Sequence, residues 1–154
     1  MSAYFFDSSA LIKRFTRETG SGWVLKLLKP STGNSIYIVR ITGAEVVSGL
    51  ARQHRMGSLS LRDLDRGERR FRRRDDFGYG VVEVTAKIVE NAIVLVRRHG
   101  LRGYDAVQLA GALEVESGRQ TVAGLHITFV SADETLNKAA LAEGLAVENP
   151  NVHS

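Results

Sequence analysis

The stretch YFFDSSALIKRF, residues 4–15, places an acidic residue at the junction of two different patterns. Its first three residues are aromatic, which favours a buried β-strand, and Asp7 ends this run. Small residues follow, and then Leu11, Ile12 and Phe15 recur with helical spacing. The stretch therefore predicts a strand, a carboxylate and a helix in succession. Asp7 has two interpretations: an N-cap of the helix, or a ligand-binding carboxylate at the carboxyl end of a strand.

Five short apolar segments along the chain favour β-strands. They are AYFF (3–6), SIYIV (35–39), VVEV (81–84), HITFV (126–130) and LAVE (145–148). Longer segments with helical periodicity lie between them, the clearest being YDAVQLAGALEVES (104–117), while another runs from Thr42 to Met56. Alternating strands and helices favour a parallel sheet of about five strands with helices on both faces. The predicted fold class is therefore α/β, with a ligand site at the carboxyl ends of the strands.

The composition is typical of one folded domain with a basic surface. In 154 residues, 44% hydrophobic content is enough for one core, so we expect residues 1–154 to form a single domain. The absence of cysteine excludes disulfides and thiol nucleophiles and fits a reducing compartment such as the cytoplasm. The longest apolar run, AIVLV, is too short for a bilayer, and we expect no membrane association or export. A net charge of +4 is compatible with a polyanionic partner.

Three further acidic residues stand at predicted helix starts. They are Glu45 in RITGAEVVSGL, Asp105 in LRGYDAVQLAGAL and Asp133 in HITFVSADETLNKAA. Each has a purely structural explanation, because acids in a first turn interact favourably with the helix dipole and a Glu at the third helical position can close a capping box. Thr42 is the capping partner available to Glu45, and Ser131 with Glu134 forms a second box around Asp133.

A parallel sheet can also bring all four acids to one edge, and this convergence is the alternative hypothesis. Four carboxylates in one cleft raise one another's pKa unless cations neutralise them. Oxygen ligands without cysteine suit Mg²⁺ or Mn²⁺ rather than zinc or copper. The four histidines show no paired ligand spacing, and the sequence contains no nucleophile elbow, Walker A loop or dinucleotide glycine fingerprint.

Four blocks of the sequence together resemble the PIN-domain family, and most closely the VapC-like ribonuclease toxins of type II toxin–antitoxin systems. The blocks are FFDSSALIKRF, RITGAEVVSGLARQ, LRGYDAVQLAGAL and FVSADETLNKAALAEGLAVENP. The resemblance implies a three-layer α/β/α sandwich whose first and fourth strands are central neighbours. It also implies an acidic metal-binding cluster with two supporting serines. The matching acids are Asp7, Glu45, Asp105 and Asp133, and the matching serines are Ser9 and Ser131.

By this resemblance we expect a Mg²⁺-dependent endoribonuclease, with Mn²⁺ as the alternative ion, that hydrolyses RNA with a metal-activated water. The family also implies a cognate antitoxin, a homodimer and a cytoplasmic location. Three alternatives stay open: an RNA-processing nuclease without an antitoxin, a non-catalytic RNA-binding or scaffold module of the same fold, and a phosphoacceptor receiver domain. The retention of all four acids argues against the non-catalytic module, and their recurrence to the end of the chain argues against the receiver domain.

The segment LRDLDRGERRFRRRDDF (61–77) is the strongest candidate for gripping a nucleic acid. Four of its arginines fall on one helical stripe that can follow phosphates: Arg62, Arg66, Arg69 and Arg73. Lys13 and Arg14 are lesser candidates for phosphate contact. Two other interpretations of the stripe stay open. It can meet an acidic antitoxin segment, or it can be a solvated helix face with ion pairs such as Asp65 with Arg69 and Glu68 with Arg72.

Overall fold

A computed structural model describes residues 1–73, 78–120 and 126–154. Its centre is a five-stranded sheet formed by β1 (Ala3–Phe6), β2 (Ser35–Val39), β3 (Gly80–Val82), β4 (Ile127–Val130) and β5 (Ala146–Glu148). The strand order is β3-β2-β1-β4-β5, and every neighbouring pair is parallel. The central strand β1 therefore lies between β2 and β4. This confirms the prediction that the first and fourth strands are neighbours.

Helices connect the strands. They are α1 (Ser8–Leu11), α2 (Ser21–Leu27), α3 (Thr42–Arg55), α4 (Leu61–Arg72), α5 (Ala86–His99), α6 (Gly103–Gln120) and α7 (Glu134–Ala142). Short 3₁₀ turns occupy Ile12–Arg14, Pro30–Thr32 and Pro150–Val152. Both helices predicted from periodicity are present, in α3 and α6. Within the described ranges, no helix combines the length and the apolar character that a bilayer span needs.

The sheet buries a separate core on each face. Phe5 and Phe129, from neighbouring strands, stack with ring centroids 5.9 Å apart and pack against α5, α6 and α7. Phe6 and Val130, each one residue further on, point to the other face and pack against α1, α2 and α3, with α4 beside them. Helices thus cover both faces, which is why these strands are apolar throughout. The predicted three-layer α/β/α sandwich is confirmed.

The strand β3 is where the structure departs most from the predicted segments. The prediction covered residues 81–84, whereas β3 spans Gly80–Val82. The Glu83 side chain pairs with Arg40, which follows β2, and Val84 is 42% exposed. The strand ends at Val82 because the next two side chains do not join the core: Glu83 forms an ion pair and Val84 is exposed to solvent.

Candidate functional site

Asp7 lies at the carboxyl end of β1 and is only 3% exposed. One of its oxygens, Oδ1, accepts a hydrogen bond from the amide of Ala10 at 2.9 Å and caps α1. The hydroxyl of Ser9 donates to Oδ1 at 2.7 Å, and the hydroxyl of Ser131, just after β4, donates to Oδ2 at 2.6 Å. Asp7 is therefore the N-cap of α1, as one interpretation predicted, and it is also a buried carboxylate at the carboxyl end of β1, where the other interpretation places a ligand.

The environment of Asp7 disfavours its charge. Burial raises the pKa of Asp7 from 3.8 to about 6, although hydrogen bonds from Ser131, Ser9 and Ala10 act in the opposite direction. The nearby negative charge of Asp105 raises it further. A carboxyl with a pKa raised this far, at the edge of a parallel sheet, is typical of functional sites rather than of ordinary helix caps.

Glu45, in the first turn of α3, is held through both carboxylate oxygens. The side-chain amide of Gln108, on α6, donates to Oε1 at 2.8 Å, and the hydroxyl of Ser8 donates to Oε2 at 3.1 Å. The capping box with Thr42 is not formed, because Ile41 is the N-cap and makes no side-chain cap bond. The Thr42 hydroxyl instead accepts from Gln108 at 3.0 Å. The capping interpretation of Glu45 was therefore wrong: its side chain joins three helices.

Asp105 lies in the first turn of α6, as predicted, and is partly buried. Burial raises the pKa of Asp105, and the charges of Asp133 and Glu45 raise it further, while Arg102 lowers it. The effects of Asp133 and Glu45 show that these acids lie within electrostatic range of Asp105.

Asp133 is the N-cap of α7, where Oδ1 accepts from the amide of Leu136 at 3.0 Å. The predicted capping box between Ser131 and Glu134 is absent, because the Ser131 hydroxyl donates to Asp7 and accepts from the amide of Asp133 at 3.0 Å. Ser131 therefore links the residue that caps α1 to the residue that caps α7.

The structure brings all four acids to the carboxyl edge of the sheet. Each stands where a helix begins. Asp105 raises the pKa of Asp7, and Glu45 and Asp133 raise the pKa of Asp105, so each acid lies within electrostatic range of another. Over the described part of the chain, none of the four carboxylates forms an ion pair with a lysine or an arginine. Arg102 offsets this charge only in part, because the pKa of Asp105 stays raised.

The donor set fits a hard divalent cation. Among the described residues, no group of three or more His, Cys, Asp or Glu side chains stands in a ready-made metal-ligating arrangement. Mg²⁺ does not require one, because it is usually held through one or two carboxylates while water and substrate phosphates complete its shell. Two carboxyls with raised pKa values, neither of which forms an ion pair in the described residues, are the observation that fits this ion, because a bound cation favours their charged form.

The arginine stripe is only partly as predicted. Arg62, Arg66 and Arg69 are exposed on α4, and Arg73 is its C-cap. The expected pair between Glu68 and Arg72 is present at 3.1 Å, whereas Arg66 lies 3.9 Å from Asp63. The expected pair between Asp65 and Arg69 is not found in the described ranges. The interpretation as a solvated face with ion pairs is therefore correct for one pair.

Lys13 and Arg14 point into the protein and do not face the cleft. Lys13 is 4% exposed and donates to Oε1 of Glu18 at 2.9 Å and to the carbonyl of Thr19 at 2.8 Å. Arg14 is 5% exposed and donates to the hydroxyl of Tyr79 at 2.6 Å. The structure corrects the interpretation of these two residues as phosphate contacts, because their charged groups are already used inside the fold.

Sequence reasoning did not single out Gln108 or Ser8, which hold Glu45. Gln108 is 1% exposed, although it lies beside the apolar residues Leu109 and Ala110 of α6. The position of a glutamine among apolar residues was the available signal for a polar site nearby, because a buried polar side chain needs hydrogen-bonding partners.

Comparison with known proteins agrees with this geometry. The family model of the PIN domain matches residues 4–142. A relative named Ribonuclease VapC45, from Mycobacterium tuberculosis (strain CDC 1551 / Oshkosh), is 37% identical over 117 residues. The alignment covers 75% of this chain and 78% of the relative. The family match includes all four acids, because residues 4–142 contain Asp7, Glu45, Asp105 and Asp133.

Two solved structures share the fold. The crystal structure of VapBC2 from Rickettsia felis, bound to a DNA fragment from their promoter, aligns with a TM-score of 0.62 at 17% identity, covering 96% of this chain and 98% of that one. FitAcB from Neisseria gonorrhoeae aligns with a TM-score of 0.65 at 16% identity, covering 96% and 97%. At these identities the likeness concerns architecture alone. The family match over residues 4–142, together with the parallel sheet and its acidic edge, shows that the chain belongs to the PIN domain family.

Proposed function

We propose that the protein is a Mg²⁺-dependent endoribonuclease of the VapC type and that Asp7, Glu45, Asp105 and Asp133 form its metal-binding cluster. The observation that carries the proposal is the buried Asp7 carboxyl, whose pKa is raised to about 6 and which lies within electrostatic range of Asp105, itself in range of Glu45 and Asp133. The 37% identical relative is named a ribonuclease, which supports RNA as the substrate. Mn²⁺ has the same preference for oxygen ligands and is the alternative ion.

A divalent cation bound by these carboxylates supplies an activated water and neutralises charge on the phosphate undergoing hydrolysis. The chain itself supplies orientation. Ser9 and Ser131 hold the two oxygens of Asp7, while Ser8 and Gln108 hold those of Glu45. Direct attack by water requires no covalent intermediate, and with the 3′-oxygen as the leaving group the expected products are a 5′-phosphate and a 3′-hydroxyl.

We further propose that the protein acts as a toxin restrained by a cognate antitoxin, as a homodimer in the cytoplasm, where its RNA substrate is found. The VapBC2 complex from Rickettsia felis supports the antitoxin, because its chain shares this fold over 96% of the present chain. The sheet with helices on both faces supports residues 1–154 acting as a single domain.

The proposal is tested with end-labelled total RNA, incubated with the wild type, with Asp7→Asn and with Glu90→Gln. Glu90 is an exposed acid on α5 and serves as the matched control for the loss of one carboxylate. We expect the wild type and Glu90→Gln to cleave RNA in Mg²⁺ and not in EDTA, and Asp7→Asn to be inactive in both. Cleavage in EDTA, or equal cleavage by Asp7→Asn, would contradict the proposal. A folded wild type that binds RNA without cleaving it would support the non-catalytic module instead.

A further inference from the structure

A cleft of about 510 Å³ lies between the segment after α1, the end of α3 and one face of α4. Phe15 and Arg17 line it from the first segment, Gln53 from α3, and Arg66 and Arg70 from α4. Arg66 and Arg70 are one helical turn apart and therefore point the same way. Three guanidinium groups and one aromatic ring thus surround a single opening.

The cleft carries surplus positive charge. Its lining includes two acids, Glu18 and Asp63, but Glu18 is already bound to the buried Lys13 at 2.9 Å. Asp63 lies 3.9 Å from Arg66. Over residues 1–73, 78–120 and 126–154, neither Arg17 nor Arg70 forms an ion pair. At least two of the guanidinium groups are therefore available to an anion from outside.

Planar groups meet inside the cleft. The guanidinium of Arg70 lies 6.0 Å from the centroid of the Phe15 ring, and this ring packs against Phe71 at 6.2 Å. Phe15 is partly exposed, so packing does not cover it completely. Aromatic rings and arginine planes are the surfaces on which proteins stack unpaired nucleobases, while arginine side chains also bind phosphate oxygens.

Helices α1 and α3 connect the acidic site to the cleft. Ser8, at the start of α1, contacts Glu45, at the start of α3, and the cleft begins seven residues after Ser8 and eight residues after Glu45. At a rise of about 1.5 Å per residue, Gln53 lies roughly 12 Å from Glu45 along the axis of α3. The close approaches of Gly67 to Leu50 and of Gly43 to Phe71 show that α4 runs antiparallel to α3, back toward the acids.

We propose that this cleft, defined by Phe15, Arg17, Arg66 and Arg70, binds the single-stranded RNA that flanks the bond to be cleaved. The inference rests on the proposed endoribonuclease and names where its substrate strand lies. A volume of about 510 Å³ is in the range of pockets that hold a small-molecule-sized group, so it fits a nucleotide unit of one strand and not a duplex. The RNA-binding face of α4 is therefore the one that carries Arg66 and Arg70. Of these two residues, only Arg66 belongs to the stripe predicted from the sequence.

The test measures binding of a fluorescein-labelled single-stranded RNA of mixed sequence by anisotropy, in EDTA so that the strand stays intact. The cleft variant is Arg17→Gln/Arg66→Gln/Arg70→Gln. The matched control, Arg62→Gln/Arg69→Gln/Arg73→Gln, removes the same charge from residues outside the cleft lining. Because each phosphate contact to a single strand contributes about 0.7 to the slope of log K against log salt, we expect the slope of the cleft variant to fall by up to about 2. The control should retain most of the wild-type slope.

A second variant, Phe15→Leu, separates stacking from charge. Leucine keeps an apolar side chain against Phe71 but removes the ring, so we expect about tenfold weaker RNA binding with an unchanged salt slope. Retention of wild-type affinity by Phe15→Leu would overturn the stacking part of the inference.

The inference as a whole is overturned if the two triple variants change the salt slope equally, or if neither changes it. It is also overturned if the cleft variant binds RNA normally but no longer binds an antitoxin, because the cleft is then a protein-docking surface. These failures differ from failure of the proposed function, since Asp7-dependent cleavage of total RNA by the wild type is measured separately and does not require the cleft variants.

Discussion

Replacing Asp7 with asparagine should stabilise the metal-free protein at neutral pH. Burial raises the pKa of Asp7 from 3.8 to about 6 in the folded state. Since one pH unit corresponds to about 1.4 kcal/mol, the ionised carboxylate destabilises the folded protein by about 3 kcal/mol above pH 6. An amide avoids this cost but can no longer accept every bond that Ser9 and Ser131 donate, at about 1 kcal/mol for a lost bond. The expected net gain is therefore about 2 kcal/mol.

The pH dependence of the unfolding free energy tests whether ionisation of Asp7 causes the difference between the wild type and Asp7→Asn. The folded pKa lies above the unfolded one, so the penalty is absent below about pH 3.8, grows as the pH rises toward 6, and is complete above 6. Urea unfolding of the wild type and of Asp7→Asn, at several pH values in EDTA, should show a difference in unfolding free energy that opens over this interval and then stays constant. In a thermal scan at pH 7, the variant should melt about 4–8 °C higher.

Two results would refute this reasoning. A difference in stability that does not change between pH 4 and 7 would show that ionisation of Asp7 is not responsible. A variant less stable than the wild type at pH 7 in EDTA would show that the hydrogen bonds to Ser9 and Ser131 outweigh the cost of the buried charge. Glu90→Gln is the control, because an exposed carboxylate should give no pH-dependent difference.

Three other measurements address the site and the fold. Gln108→Met should weaken Mn²⁺ binding, followed by electron paramagnetic resonance, by about tenfold without changing the far-ultraviolet circular dichroism; equal affinity would mean that Gln108 does not orient Glu45 toward the metal. Mg²⁺ should raise the melting temperature of the wild type but not of Asp105→Asn, and equal shifts would indicate a general salt effect. Gly20→Ala should destabilise the protein by about 2 kcal/mol or more in urea unfolding, because Gly20 has φ of +86° and an added Cβ would lie 2.3 Å from the carbonyl oxygen of Pro150. Gly22→Ala, which has open space around it, should not destabilise, and similar losses in both variants would contradict the steric argument.

Much of the fold could be predicted because strands covered on both faces must be apolar throughout. The run AYFF satisfies this condition, and both Phe5 and Phe6 are fully buried on opposite faces. Strand β3 lies at the edge of the sheet, and the two residues after it, Glu83 and Val84, are exposed, so burial on both faces does not apply there. The predicted end of that strand was wrong for this reason, while the central strands were located correctly.

The acids could be located from the sequence because each stands at a junction between a strand or loop and a helix. The hydrogen-bonding partners of the acids could not be located in this way, because they depend on contacts between distant elements. Gln108 reaches Glu45 across 63 residues of sequence, which no periodicity reveals. Lys13 was interpreted as a lesser candidate for phosphate contact, whereas its side chain is buried and bound to Glu18. The cleft at Arg70 depends likewise on the antiparallel packing of α3 and α4.

The bond from Ser131 to Asp7 joins residues 124 positions apart in the sequence. During synthesis β1 emerges long before one of its two neighbours, β4. Sheets built from such distant pairings fold slowly, because a long loop must close before the contacts form. A nascent or truncated chain that stops before Ser131 contains Asp7, Glu45 and Asp105 but lacks the strand that holds them together. The order of translation therefore delays assembly of the acidic edge until the segment that carries Ser131 has been made.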